Sequence, residues 1–497
     1  MWWPGSALRA EGLGGLWPFA RRHLLTLHGL DALVHMDTML FILGLTLFVS
    51  AISQTRLLET VSFAVLRRFR GRLAVTVAAI AGIVAAASGI LDGVSMIGLM
   101  IRTLVILLLL SKMEDEVLVY AVMVSTVVTT VCGMWLAYGE PPNLIMKANL
   151  YPLLDDAFFL RYCLPAAVGS YCVVAWNLRR KIGQRTVEVD KLDILESHAA
   201  DVRFLQAMRH GEVWTPLEFV AERRESLGAL AGHLLERMRQ GMSLGEALVS
   251  VQAPEERRRR LWDEYLSVET EGELREALET VRRQRVRAQA VGLLSFIPFI
   301  GLLVWHAVDH RLPLFPATFA GFLVALAGIW AHPRMRGLAL REARHEYAEY
   351  LFLFPLFLGI TLLSKTGFFD QLAALLRQGV AAGAATGLAL GQFAGATVLS
   401  AMLDNNVVAD FAARALRGLD AKFVHLFAMA QIAGYAAGGC WTHIGSAQSV
   451  VAYAFIRREI DGRYTPLRWI KAMTPVLLEI CALIALIVCV EGWLMGR

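Results

Sequence analysis

SGILDG, residues 88–93, and SAMLDNN, residues 400–406, each plant one acidic residue, Asp92 or Asp404, inside a long apolar run. A lone carboxylate is expensive to hold in lipid, so it belongs at a functional site facing a bundle interior or a water-filled cavity. The surrounding sequence shows how such a site is built. The runs 73–110 and 380–416 are each long enough for two crossings, and each is interrupted at its aspartate. Each therefore reads as a re-entrant hairpin, two half-helices meeting at a polar tip, which is tolerated at membrane depth only where protein or water satisfies the freed backbone groups. Stretches 78–89 and 381–395, beside the tips, are rich in Gly and Ala and allow close helix approach.

The rest of the chain is of the same kind. It is 497 residues long, 56% hydrophobic and 18% charged, where soluble domains carry about a quarter charged residues. It is a polytopic, all-α membrane protein. Spanning helices of about 20 apolar residues are expected at 38–56, 117–138, 157–177, 289–309, 312–332, 347–364, 422–441 and 473–494. Charge concentrates between 179 and 287, so the net charge of +5 reports loop orientation, not ligand. The six cysteines lie in apolar segments without a CxxC pair and read as small buried hydrophobes. The N-terminus lacks the basic start and cleavage site of a signal peptide, so the first spanning helix is expected to serve as its own insertion signal.

Three blocks repeat in one order. LFILGLTLFVSAISQTRLLET from Leu40 aligns with LFLFPLFLGITLLSKTGFFDQ from Leu351, placing Ser53 on Ser364 and Thr55 on Thr366. The two tips pair Ser88 with Ser400 and Asp92 with Asp404. GMWLAYGEPPN from Gly133 aligns with GCWTHIGSAQS from Gly439, pairing Trp135 with Trp441 and Gly139 with Gly445. If the Arg-rich loop after the first helix is cytoplasmic, the later large basic clusters also fall inside when the second repeat is inverted relative to the first. The expected fold is two inverted-topology repeats, each with a re-entrant hairpin and a broken transmembrane helix, the arrangement many secondary transporters use for alternating access.

The organisation follows. Residues 1–37 form an N-terminal segment, 38–178 the first membrane repeat, 179–288 a charged cytoplasmic helical insert, 289–346 two linking helices, and 347–497 the second repeat with a final transmembrane helix. The insert has the charge interleaving of solvated helices and reads as a linker between halves. Its run PEERRRRLWDEY, beside a membrane, fits a lipid-surface patch better than a nucleic-acid site.

The chemistry centres on Asp92 and Asp404. A carboxylate in a partly desolvated tip is contested by a proton and a cation, and that mutual exclusion is the core of cation/proton exchange. Ser88, Ser400, Asn405 and Asn406 with freed carbonyls complete an oxygen shell suited to a hard transported cation such as Na+. The breaks add a second set: Glu140 and Asn143 in GEPPN, and Thr442, His443, Gly445, Ser446 and Gln448 in THIGSAQ. Pro142 removes an amide hydrogen and biases Pro141 from helical geometry, freeing carbonyls near the tips. His443 is a candidate proton relay, because its charge changes near neutrality. Asp410 lies nearly opposite Asp404 on an ideal helix and points to a different cavity or to a helix cap.

These residues make the chain resemble the ion transporter superfamily, which contains NhaD-type sodium/proton antiporters, arsenite permeases and dicarboxylate symporters. SAMLDNN resembles the hairpin of the NhaD-type antiporters, and GGCWTHIGSAQS their second broken helix, whereas GEPPN is closer to the break of the arsenite and dicarboxylate branches. The resemblance implies a sodium/proton antiporter of the bacterial inner membrane, exchanging cytoplasmic Na+ or Li+ for external H+. The alternative is a sodium-coupled or uncoupled carrier of dicarboxylates or oxyanions. An intramembrane aspartyl protease would place two aspartates on neighbouring helices with a GxGD motif, whereas here each has its own repeat. The expected partners are the transported cation and protons, the lipid bilayer and a second copy of the chain in a homodimer, with no nucleic acid, no cofactor and no enzymatic activity.

Overall fold

The computed structural model describes residues 34–186 and 286–495, apart from positions 56, 111–112, 310–311, 332, 352 and 365, with short stretches between 14 and 30. Most of the charged insert and of the N-terminal segment therefore lies outside the described residues. What is described is helical, with one isolated bridge between Arg72 and Thr186.

The first half runs α1 (Met36–Ser53), α2 (Leu57–Arg68), α3 (Leu73–Ser88), α4 (Gly93–Leu110), α5 (Asp115–Thr130), α6 (Pro141–Leu150) and α7 (Asp156–Ile182). Three helices follow: α8 (Val286–Val308), α9 (Phe315–Ile329) and α10 (Pro333–Tyr350). The second half runs α11 (Leu353–Ser364), α12 (Phe368–Ala381), α13 (Ala385–Ser400), α14 (Asn405–Ala415), α15 (Ala421–Trp441), α16 (Ala447–Phe455) and α17 (Pro466–Met495). The two series correspond helix for helix, and each repeated sequence block falls on corresponding elements. Helices α1, α7, α8, α15 and α17 are long and apolar enough to cross a bilayer, and α11 with α12, bent by 69°, make a sixth if they form one span.

Several elements differ from the sequence expectation. Helix α5 stops at Thr130 instead of continuing to 138, because the chain turns through 131–140, where Gly133 and Gly139 fall. Pro141 and Pro142 do not break a helix from within; they open α6 at its first positions, where a missing N–H costs nothing. The helix expected from 347 begins at Leu353, because α10 continues through Tyr350. The final helix starts at Pro466 instead of 473 and carries Pro475 inside it.

Packing explains why these helices hold together. Asp37, in the first turn of α1, accepts from the Leu314 and Phe315 amides at 3.0–3.3 Å, setting a carboxylate at the positive end of α9, which packs along α1. Helix α15 is buried along nearly its whole length, and its glycines let α13 press against it. At Gly438 a Cβ atom would strike the Thr397 carbonyl oxygen of α13, so no larger residue fits this crossing. One continuous apolar core runs through both halves. The halves also interleave: α6 packs along α14, and α16 lies against α4 and α5.

Candidate functional site

The first tip, 89–92, joins α3 to α4 and is tied to the first break by backbone alone. Gly139 N donates to Gly89 O at 3.1 Å and Gly93 N to Gly139 O at 3.0 Å. Gly139 is obligatory in this crossing, since a Cβ would overlap the Ser88 carbonyl oxygen. Asp92 is 2% exposed. Its Oδ2 accepts from the Ser95 amide and hydroxyl, both at 2.9 Å, and so caps α4. Its Oδ1 accepts from Tyr350 Oη at 3.2 Å. Ser88 is fully buried, and its hydroxyl donates to Ala85 O within its own helix.

The second tip, 401–404, joins α13 to α14 and is more open. Asp404 Oδ1 accepts from the amide and the side-chain nitrogen of Asn406 at 2.8 and 2.7 Å, capping α14. That leaves Asn406 Oδ1 buried without a partner. The Asn405 amide lies among Ser400 Oγ, Tyr435 O and Gly445 O, and the orientation that satisfies all three turns its NH2 group toward them. Ser400 Oγ donates to Tyr435 O at 3.0 Å, so tip and second break are stitched to α15.

Contacts across the halves bring these pieces to one place. Gln448 Nε2 donates to Glu140 Oε1 at 2.8 Å, joining the second break to the first. Gly93 sits directly beside both groups, so the first tip reaches the same point. Tyr435 Oη donates to Asn143 Oδ1, and Asn143 Nδ2 to Leu136 O at 3.3 Å. The Glu140 carboxyl of the first break thus meets the Gln448 amide of the second, beside Gly93 of the first tip. Lys147 of α6 is spent on Asp156 Oδ1 at 2.6 Å and on Tyr138 Oη at 2.9 Å.

Other expected residues take local roles. Thr442 Oγ1 donates to Ala401 O, linking the second break to the tip. Ser446 caps α16 by accepting from Ser449 N at 3.2 Å. His443 stacks on Tyr453, ring centroids 4.5 Å apart, and its Nδ1 is buried without a partner. Asp410 does face elsewhere: it pairs with Arg414 at 3.0 Å and accepts from Asn149 of α6 at 2.9 Å. Sequence reasoning passed over Tyr350 and Tyr435. Tyr435 had a signal, a lone hydroxyl in the Gly/Ala-rich AGYAAGG stretch; Tyr350, at the edge of an apolar run, had none.

Comparison with known proteins narrows the class. The sequence model described as citrate transporter (CitMHS) matches residues 13–430, which takes in the whole first half and the second as far as α15. No curated protein matches the chain. The match agrees with the ion transporter superfamily and describes a carboxylate carrier, not a sodium/proton antiporter. Residues 13–430 are most of this chain, and the chain belongs to the citrate transporter family.

Proposed function

We propose that this protein carries citrate or a related polycarboxylate across the bacterial inner membrane, coupled to a cation or protons bound at the Asp92, Glu140 and Asp404 cluster. The Glu140–Gln448 hydrogen bond carries the reading, because it sets the two breaks and the first tip around one point. Neutral donors there suit an anion: the second hydrogen of the Gln448 amide and the starts of α6 and α16, whose amides point toward the breaks. The carboxyl groups oppose it. Two unit charges 4 Å apart repel by about 4 kcal/mol at the effective dielectric of a protein site, so a polyanion beside three carboxylates needs them neutralised. Protons or a cation must therefore load with the anion, and that requirement is coupling. The second half supplies a shell for the cation. If the Asn405 amide turns over, its Oδ1 joins Ser400 Oγ, Tyr435 O and Gly445 O, four oxygens suited to a hard ion. Inverted repeats with re-entrant hairpins would then alternate access around this centre.

Uptake of labelled citrate into vesicles under imposed Na+, Mg2+ or proton gradients tests the reading. Gradient-driven accumulation is expected, lost in Asp404→Asn. The all-acidic cluster also favours a second reading, exchange of Na+ for H+ without an anion. Sodium-dependent collapse of a preset pH gradient in citrate-free vesicles, with no citrate uptake, would replace the first reading by the second.

A further inference from the structure

Asp92 and Asp404 occupy corresponding positions and are held differently. Both cap the helix that follows, Asp404 through Asn406 and Asp92 through the Ser95 amide and hydroxyl. Asp92 has a further partner from a different element, Tyr350 at the end of α10, a helix that packs along α1. Cover differs as well. Leu91 of the first tip is 7% exposed, whereas its counterpart Leu403 is 47% exposed.

We infer that Tyr350 is a positioning residue for coupling: its hydroxyl and the coupling ion compete for Oδ1 of Asp92, so loading Asp92 frees the first tip from α10. The inference rests on Asp92 being a coupling group, as proposed above. Oδ2 is committed to α4 by two bonds from Ser95, which makes Oδ1 the oxygen open to exchange. Asp92 and Tyr350 are 2% and 5% exposed, so bulk water is not at hand to replace the hydroxyl, and a cation is the natural substitute. Ser95 travels with Asp92 on α4. The Tyr350 bond instead spans two elements, and it must break whenever the tip moves relative to α10 and α1. Ion occupancy and movement are thereby tied at one hydrogen bond.

Tyr350→Phe keeps the ring and removes the competitor. The parent, Tyr350→Phe, Asp92→Asn and the double variant are purified, and thermal melting in detergent is followed against NaCl, MgCl2 and pH, with citrate uptake measured on the same proteins in proteoliposomes. Tyr350→Phe is expected to lower the half-saturating ion concentration about three- to tenfold, the worth of one hydrogen bond. In the Asp92→Asn background the same substitution should change nothing. Unaltered half-saturation in Tyr350→Phe, or an equal shift without Asp92, overturns the inference, and so does the absence of any Asp92-dependent ion response. Melting needs no citrate. An Asp92-dependent shift without citrate uptake would sink the substrate reading and leave Tyr350 standing, whereas cation-driven uptake with unshifted Tyr350→Phe would do the reverse. Should Tyr350→Phe fail to fold, Tyr350→Leu, which also removes the hydroxyl and brings no other donor, is held to the same criterion.

Discussion

Glu140 is the residue whose charge and hydrogen bond can be separated. Gln448 donates to Oε1, and a glutamine at position 140 can accept the same bond. Glu140→Gln therefore keeps the link between the two breaks and removes a buried carboxyl group. Because burying a charge beside like charges is costly, the variant is expected to melt no lower than the parent. Its citrate uptake should fall at least about tenfold under a cation or proton gradient, as when one charge-assisted contact is lost. Lowered melting together with lowered uptake would instead make Glu140 a structural residue. Glu140 and Gln448 are each visible in the sequence, because an acidic or amide side chain beside a helix break is a local signal. Their partnership is not, since it depends on packing between residues 308 apart. The same holds for His443. A titratable ring at a break invites a relay role, and its neighbour Tyr453, 4.5 Å away between ring centroids, carries no signal in the sequence.

Helix α6 meets α14 beside a buried ion pair. Asp410 is fully buried, paired with Arg414 one turn on and bonded to Asn149 of α6, while Arg417 donates to Asn149 Oδ1 at 2.6 Å and Arg414 to Thr361 of α11 at 3.1 Å. Removing one partner of such a pair strands the other charge in a medium of low dielectric. Asp410→Asn should thus cost about 3–5 kcal/mol of stability. Adding Arg414→Met, which removes the stranded charge and keeps apolar bulk, should recover most of it. Denaturant or thermal unfolding of the single and double variants in detergent decides, and additive losses would show that the two residues act independently. The six-residue spacing from Asp404 already placed Asp410 on another face of the helix. Which neighbours fill that face was hidden, because Asn149 and Thr361 carry no pattern that sets them apart from other polar residues in apolar helices. The tips and breaks were legible for the converse reason: Gly, Pro, Asp and Asn act on the backbone within a few residues of themselves.

From Met36 on, the described residues run as seven helices, then α8, α9 and α10, then seven more, with the charged segment between α7 and α8. The parallel order of the elements was readable because the residues fixing tips and breaks recur in sequence, while Tyr350, at the end of α10, carried no such signal. The charged segment enters and leaves at one corner of the bundle. Leu73 N donates to Arg185 O at 3.1 Å, and Gln289 Nε2 donates to Thr55 O and Thr60 Oγ1 at 3.0 and 2.9 Å, so both ends are anchored on α2 and its flanks. Helix α2 has 12 residues, a length of about 18 Å at 1.5 Å per residue. A Gly/Ser linker of about 12 residues has a root-mean-square span of about 19 Å, enough to join the two anchors without strain. Replacing residues 187–285 by such a linker should therefore leave a protein that folds, inserts and takes up citrate within about twofold of the parental rate, since surface-loop length costs little stability. Size-exclusion behaviour and melting report the fold, and vesicle uptake reports the transport. A linker variant that melts like the parent but no longer accumulates citrate would give the segment a direct part in transport, and the two halves alone would not be the working unit.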